Sequence, residues 1–240
     1  KVLEKIAEKG RDGFYKGEVA EDMVSSLNAL GGTHSLEDFE NVKCNYATPI
    51  SGKYGNIEMF EHPPNGQGAT AICINNILSH FDIKSMDAFG VQRTHIEAEA
   101  TKLAYDARNR FIADKSNRID HMLSMETAKN LASLINPRSV TVNVKSITES
   151  VHKETICLTI VDKDLMSVSL IYSVFHSFGS GFASSKYGIN FQNRGAGFTL
   201  ERNHPNEVGA KKRPMHTIIP GMLKKNDKIL MPFCVMGGAY

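Results

Sequence analysis

Thr155 stands where the chain changes character, in the stretch HKETICLTIVDKD at 152–164. The residues before it are polar and patternless. Those after it are apolar and β-branched, the composition of a buried strand. Two readings of the threonine are open. A threonine opening a strand is ordinary. A threonine freed by a cut just before it is a nucleophile. A hydroxyl is a poor nucleophile near neutral pH and needs a base. A freed α-amino group, with a pKa of about 7.7–8.0, can serve its own side chain as that base. An amide nitrogen cannot.

Other side chains that could do chemistry carry weaker patterns. His95-Ile-Glu97 lies on a helix without HExxH, and His95 with Glu99 reads as a polar pair on one face. Gly179-Ser180-Gly181 lacks the spacing of a dinucleotide cradle. KKR at 211–213 is too short for a nucleic-acid patch. Asp106, Arg108 and Arg110 read as structural ion pairs on the polar side of a helix. His34, His62, His80 and His121 read as surface residues. GxSxG is missing. Cys44, Cys73, Cys157 and Cys234 form no CxxC pair. They do not read as a zinc site; buried free thiols are the reading preferred, with a disulfide as the open alternative.

The elements that must position Thr155 follow from periodicity. Val2, Leu3, Ile6 and Ala7 predict a helix stopped by Gly10, and 17–30 a second one ended by Gly31-Gly32. Ser35 with Asp38 predicts a capped third helix. Residues 47–62 read as extended around a Gly-Lys-Tyr-Gly turn, and HPPNGQG at 62–68 breaks regular structure. Helices follow over 69–81, from a cap at Ser85 through Phe111, and over METAKNLASLI before Pro137. Residues 137–154 read as a mobile segment. ICLTIVD with SVSLIYS, and MHTIIPGML with KILMPFCVMG, predict two hairpins. FGSGF reads as a turn and GINFQN as a short strand. Helices first and paired strands after point to an α+β layered domain.

Composition excludes rather than selects. The 240 residues carry a formal net charge of +2, too little to argue for nucleic acid or an anionic membrane as partner. Apolar residues make up 41% and charged residues 22%, ordinary for a soluble globular protein. No apolar run is long enough to cross a bilayer, and no signal-peptide pattern opens the chain. The sequence starts inside a helix and stops directly after an apolar strand and a Gly-Gly pair. It therefore reads as a piece of a longer protein.

Taken together, GFYKGEVAEDMV, PPNGQG, HIEAEATKLAYDARNRFIAD, TICLTIVDKD, FGSGF, INFQNRGAGF, HPN, KKRP and VMGGAY resemble, in order and spacing, the γ-glutamyltranspeptidase family of N-terminal nucleophile hydrolases. The resemblance implies an αββα four-layer sandwich, present here in part. It implies a precursor that cuts itself before a threonine. Aligning Val161-Asp162 with the family's strand end puts that threonine at Thr155 and the scissile bond at Glu154–Thr155. Residues 1–154 then belong to the large-subunit side and 155–240 to the small-subunit side, within one domain. Ser173 stands where the family has a hydroxyl that orients the nucleophile. Gly237 and Gly238 match the turn whose N–H groups form the oxyanion hole.

The resemblance further implies a donor that is a γ-glutamyl amide such as glutathione, and water or an amine as acceptor. It implies no cofactor, no metal, no nucleic-acid or membrane partner, a periplasmic or cytoplasmic setting, and pieces that stay associated after the cut, with a higher oligomer open. The substrate positions depart from the family pattern. Phe175 replaces an asparagine. Arg194 and Gly197 stand where a glutamine and an aspartate grip the γ-glutamyl amino group. His216-Thr217 replaces a pair of serines. Arginine accepts no hydrogen bond from an ammonium group but suits a carboxylate. Three readings follow: a γ-glutamyl transferase or hydrolase; an amidase or acylase for another acidic acyl group, glutaryl- or oxamate-like; and an uncleaved, inactive chain.

Overall fold

The structure is a computed structural model and describes residues 1–141 and 155–235. They fall into two compact units: residues 1–46 with 174–193, and 47–173 with 194–240. This is a partition by packing. The division at 154/155 expected from the sequence is one of chain cleavage, a different kind of boundary.

The smaller unit begins with four helices: α1 (Val2–Lys9), α2 (Asp12–Tyr15), α3 (Gly17–Ala29) and α4 (Leu36–Glu40). Gly10 stops α1 in a left-handed conformation, φ 59°, that few other residues adopt. Ser35 caps α4 reciprocally. Its hydroxyl accepts the Asp38 N–H, and the Asp38 carboxylate accepts the Ser35 N–H. Val19 and Met23 of α3 bury against Phe191, with Tyr187 and Ile189 alongside. Asp22 fastens the same segment to α3, accepting the N–H groups of Lys186 and Tyr187. Burial pushes its pKa up, but bonds from Ser184, Lys186 and Tyr187 outweigh that and leave it lowered. The strand expected at GINFQN does not form. The segment is held by one isolated bridge, Ala183 to Asn190, and by scattered backbone bonds such as Phe191 N–H to the Phe182 carbonyl and Ser184 N–H to the Ile189 carbonyl. Its apolar residues are used for packing on α3.

The larger unit opens with a hairpin, β1 (Ile50–Tyr54) and β2 (Ile57–Glu61), and continues with α5 (Gly68–Leu78), α6 (Val91–Phe111), α7 (Ile119–Leu123) and α8 (Met125–Ala132). β3 (Ile156–Val161) and β4 (Ser167–Tyr172) form one hairpin, β5 (Ile219–Lys225) and β6 (Lys228–Val235) another. An antiparallel sheet runs in the order β1-β2-β5-β6, and β3-β4 is a separate sheet. Small residues let the helices close on each other. Ala69, Cys73 and Ile77 of α5 share a core with Ala100, Leu103, Ala104 and Ala107 of α6. Gly52 lets Ile72 of α5 sit directly on β1, where a Cβ would collide with it. Helix α6 starts five residues later than expected, after Gly90. Ser85 instead ends a 3-10 turn, Ile83–Ser85. Its hydroxyl bonds back to the Asp82 carbonyl, and Met86 is extended.

The β3–β4 hairpin has two unlike faces. Ile156, Leu158 and Ile160 pair with Tyr172, Leu170 and Val168, and all six are exposed. The other face meets β5–β6. There the Ser169 hydroxyl donates to the Phe233 carbonyl (2.6 Å), and Cys157 is disulfide-bonded to Cys234 with Cα atoms 6.2 Å apart. This corrects the preferred reading of four free thiols. Only Cys44, exposed, and Cys73, buried, are unbonded among the four. The pair is 77 residues apart in sequence, a separation that no local spacing pattern reveals. Among the described residues no helix is long and apolar enough to cross a membrane.

Candidate active site

Strand pairing sets the first part of the site. Ile156 faces Tyr172 in the β3–β4 ladder, so the residues one step beyond, Thr155 and Ser173, also face each other. Thr155 Oγ1 donates to Ser173 Oγ at 3.1 Å, and both residues are half-buried. Alternation along the strand puts Thr155 on the same side as Cys157, the side toward β5–β6. The disulfide therefore ties Cys234, on the strand leading toward residues 237 and 238, to a point two residues along from Thr155. Glu154, Gly237, Gly238 and most of the segment 137–154 lie outside the described residues.

The second part gathers four of the expected substrate-side residues, Arg194, Gly197, His216 and Thr217. Arg194 begins a single 3-10 turn, Arg194–Gly197, and is 6% exposed. Its Nη1 donates to Thr217 Oγ1 at 3.0 Å. Burial lowers the Arg194 pKa to about 10. His216 is adjacent. Burial lowers its pKa to about 4, and the charges of Arg194, His62 and Arg213 push the same way, so the imidazole is neutral at physiological pH. Gly197 hands its carbonyl to Asn206 Nδ2 (2.6 Å), and a Cβ there would crowd the Met215 carbonyl. Phe175 belongs to the smaller unit. It is buried at 4% exposure with φ 80°, and its ring stacks on His176 at a centroid distance of 4.7 Å.

Several residues that hold this site escaped the reading of the sequence. Loop 62–68, read only as a break, supplies Asn65 and Gln67. Asn65 Nδ2 donates to the Pro214 carbonyl (2.6 Å), and its own carbonyl accepts the His216 N–H (2.8 Å). Gln67 is 1% exposed; its Nε2 donates to the Thr217 carbonyl at 2.8 Å. Gln67 Oε1 accepts from Arg108 Nη1 at 3.0 Å. Asn206 joins 214–217 by accepting the Met215 N–H (2.9 Å). The expectation that Arg108 lies on the polar side of α6 is thus corrected: it is 4% exposed, while Asp106 and Arg110 do form a surface ion pair. His95 bonds the Asn136 carbonyl (2.8 Å) rather than Glu99, and Glu99 instead takes Lys102 and the Thr141 N–H. One signal was available in advance: an amide-rich loop between a strand and a helix has side chains suited to holding neighbouring backbone.

Glu61, the last residue of β2, was also missed. It packs against Gly68 at the start of α5 and is 1% exposed. Neither carboxyl oxygen has a partner among the described residues. Burial raises its pKa from 4.5 to about 8, so it is mostly protonated at neutral pH.

Helices laid on an antiparallel sheet, with a second sheet beneath, define an α+β layered protein of the N-terminal nucleophile hydrolase type. The larger unit supplies these layers as helix, sheet, sheet. A solved cephalosporin acylase from Bacillus halodurans shares the fold, at a TM-score of 0.85 and 35% identity over 98% of this chain and 43% of its own. The γ-glutamyltranspeptidase family model matches residues 1–240, and the chain belongs to that family. Among curated relatives, a glutathione hydrolase-like YwrD proenzyme of Bacillus subtilis (strain 168) is 31% identical over 98% of this chain. An oxamate amidohydrolase proenzyme of Klebsiella pneumoniae is 30% identical over 99%. The chain covers 45% and 44% of those relatives, less than half of their length.

Proposed function

We propose that the protein containing this chain is a threonine acyl-transfer hydrolase for amides of small dicarboxylic acyl groups, with Thr155 as nucleophile. The Thr155–Ser173 hydroxyl pair at the mouth of the β3–β4 hairpin carries the reading. In the first reaction Thr155 Oγ1 attacks the Glu154 carbonyl carbon and the Glu154–Thr155 C–N bond breaks. An ester forms, and the nitrogen takes up the hydroxyl proton. Water then hydrolyses the ester and leaves Glu154 as a free carboxylate. The freed α-amino group of Thr155 now serves as base for its own hydroxyl. The hydroxyl attacks the donor amide, the amine leaves with a proton, and water or an acceptor amine takes the acyl group. Gly237 and Gly238 fit the oxyanion role, in which one lost donor costs about 2.7–4 kcal/mol.

A γ-glutamyl amide such as glutathione is one donor, as the glutathione hydrolase names of relatives suggest. Arg194 with Thr217 favours a second: an acyl group with a terminal carboxylate and no amino group, glutaryl- or oxamate-like. The oxamate amidohydrolase and cephalosporin acylase among the similar proteins support it. Intact mass of the purified full-length protein tests the nucleophile. Two pieces, one beginning at Thr155, are expected, and Thr155→Ala leaves one. A wild-type chain that stays whole under all conditions favours an inactive relative instead. Hydrolysis rates of γ-glutamyl and glutaryl anilides then divide the donors.

A further inference from the structure

The proposed chemistry leaves one buried cation unused. Arg108 of α6 is 4% exposed, its guanidinium lies 4.2 Å over the Tyr105 ring, and burial lowers its pKa. A guanidinium in such a place is held by hydrogen bonds and ring contacts that replace water. One of those bonds goes to Gln67 Oε1 at 3.0 Å. Arginine only donates. The Gln67 amide must therefore turn its oxygen to Arg108 and its NH2 the other way, onto the Thr217 carbonyl at 2.8 Å. The Thr217 hydroxyl in turn receives Arg194 Nη1 at 3.0 Å. The path Arg108–Gln67–Thr217–Arg194 runs from α6 through loop 62–68 to the group that suits a substrate carboxylate.

We infer that Gln67, oriented by Arg108, is a positioning residue for carboxylate recognition: it fixes the Thr217 peptide so that the Thr217 hydroxyl and Arg194 guanidinium present one preformed site for the far end of the acyl group. This rests on the proposed reading of Arg194. These bonds lead to the Thr217 peptide, on the side of the acyl group's far end. A group that only holds the far carboxylate, equally in ground and transition states, is lost in KM and not in kcat, and that is the split expected here. The role inferred is in substrate binding, so the self-cut is expected to proceed without Gln67 and Arg108.

The test uses the full-length protein and two readouts: steady-state hydrolysis of glutaryl anilide, and calorimetric binding of glutarate. Gln67→Met and Arg108→Met are expected to raise KM about tenfold and weaken glutarate by the same factor. The kcat value is expected to stay within about twofold, with the cut at 154/155 unchanged. Arg108→Lys, which still donates to Gln67 Oε1, is expected to restore most of the binding. Gln67→Glu is the safeguard against misfolding. It keeps a partner for Arg108 but, once ionised, cannot donate to the Thr217 carbonyl, so it folds and shows the same KM rise. Unchanged KM and glutarate binding in folded Gln67→Glu overturns the inference while leaving the donor reading intact. A fall in kcat together with slowed cleavage in the Gln67 and Arg108 variants overturns it as well. A wild-type protein that cuts itself yet neither binds glutarate nor hydrolyses its anilide sinks the carboxylate reading of Arg194, and this inference with it.

Discussion

Glu61 shows how one buried side chain can set a pH dependence. Its folded pKa is about 8 and its ordinary value 4.5. Below pH 4.5 the carboxyl is protonated folded or unfolded, and burial costs nothing extra. Between 4.5 and 8 the folded chain holds a proton that the unfolded chain has released, so stability falls as pH rises. The full loss, on the order of a few kcal/mol, is reached above pH 8. Glu61→Gln cannot ionise. The urea midpoint of the wild-type chain is expected to drop more than the variant's between pH 5 and pH 9; parallel curves would refute the assignment. Ser173 carries the second prediction at this scale. Removing a hydrogen-bond partner from a half-buried hydroxyl costs about 1–3 kcal/mol. In the full-length protein Ser173→Ala is therefore expected to slow both self-cleavage and turnover about ten- to a hundredfold, measured by mass and by anilide release. The facing of Thr155 and Ser173 was legible beforehand, because alternation in ICLTIVD and SVSLIYS already paired the two strands. Gln67 and Arg108 were not. A charged residue on an amphipathic helix reads as surface, and only the folded loop 62–68 brings a buried amide to meet it.

Elements were legible where local rules decide them. The α4 capping box and the hairpins β3–β4 and β5–β6 formed as periodicity and turn chemistry required. The failures are tertiary. GINFQN has a strand's composition, yet Ile189 and Phe191 pack on α3. Ser85 has the right residue type for a cap but bonds backwards to Asp82. The disulfide joins elements that only the sheets bring together. It links the strand carrying Thr155 to β6, closing a 77-residue separation. A cross-link over a loop of that size contributes about 4 kcal/mol on the chain-entropy account. Cys157→Ser with Cys234→Ser is expected to lower the urea midpoint, and thiol reductant to bring the wild type down to the same value. Equal midpoints with and without reductant would show that the bond does not form in solution. Both cysteines lie on the same side of Glu154–Thr155, so the bond cannot hold the two pieces of a cut chain together.

At the scale of the whole molecule, the β3–β4 hairpin is apolar on a face that nothing described covers. Ile156, Leu158, Ile160, Val168, Leu170 and Tyr172 are each between 44% and 57% exposed. Strands apolar on both faces belong to sheets covered on both sides, and a contiguous apolar patch in water favours association. The sequence had read this strand as buried; instead Cys157 is half-buried and the other five residues of β3 are exposed. The chain spans under half the length of the relatives it resembles, so the outer face suits a layer supplied by the rest of the protein. Two opposite outcomes follow for one variant. In the isolated 240-residue chain, Leu158→Lys with Leu170→Lys is expected to reduce binding of an apolar fluorescent dye and to shift the chain toward monomer on gel filtration. Its midpoint should change little, since both positions face solvent. In the full-length protein the same changes would bury two ammonium groups without partners, a loss of several kcal/mol, and are expected to abolish soluble, cut protein. Equal tolerance in both would mean that the hairpin's outer face stays open to water in the complete molecule, and that the layered sandwich is not closed on that side.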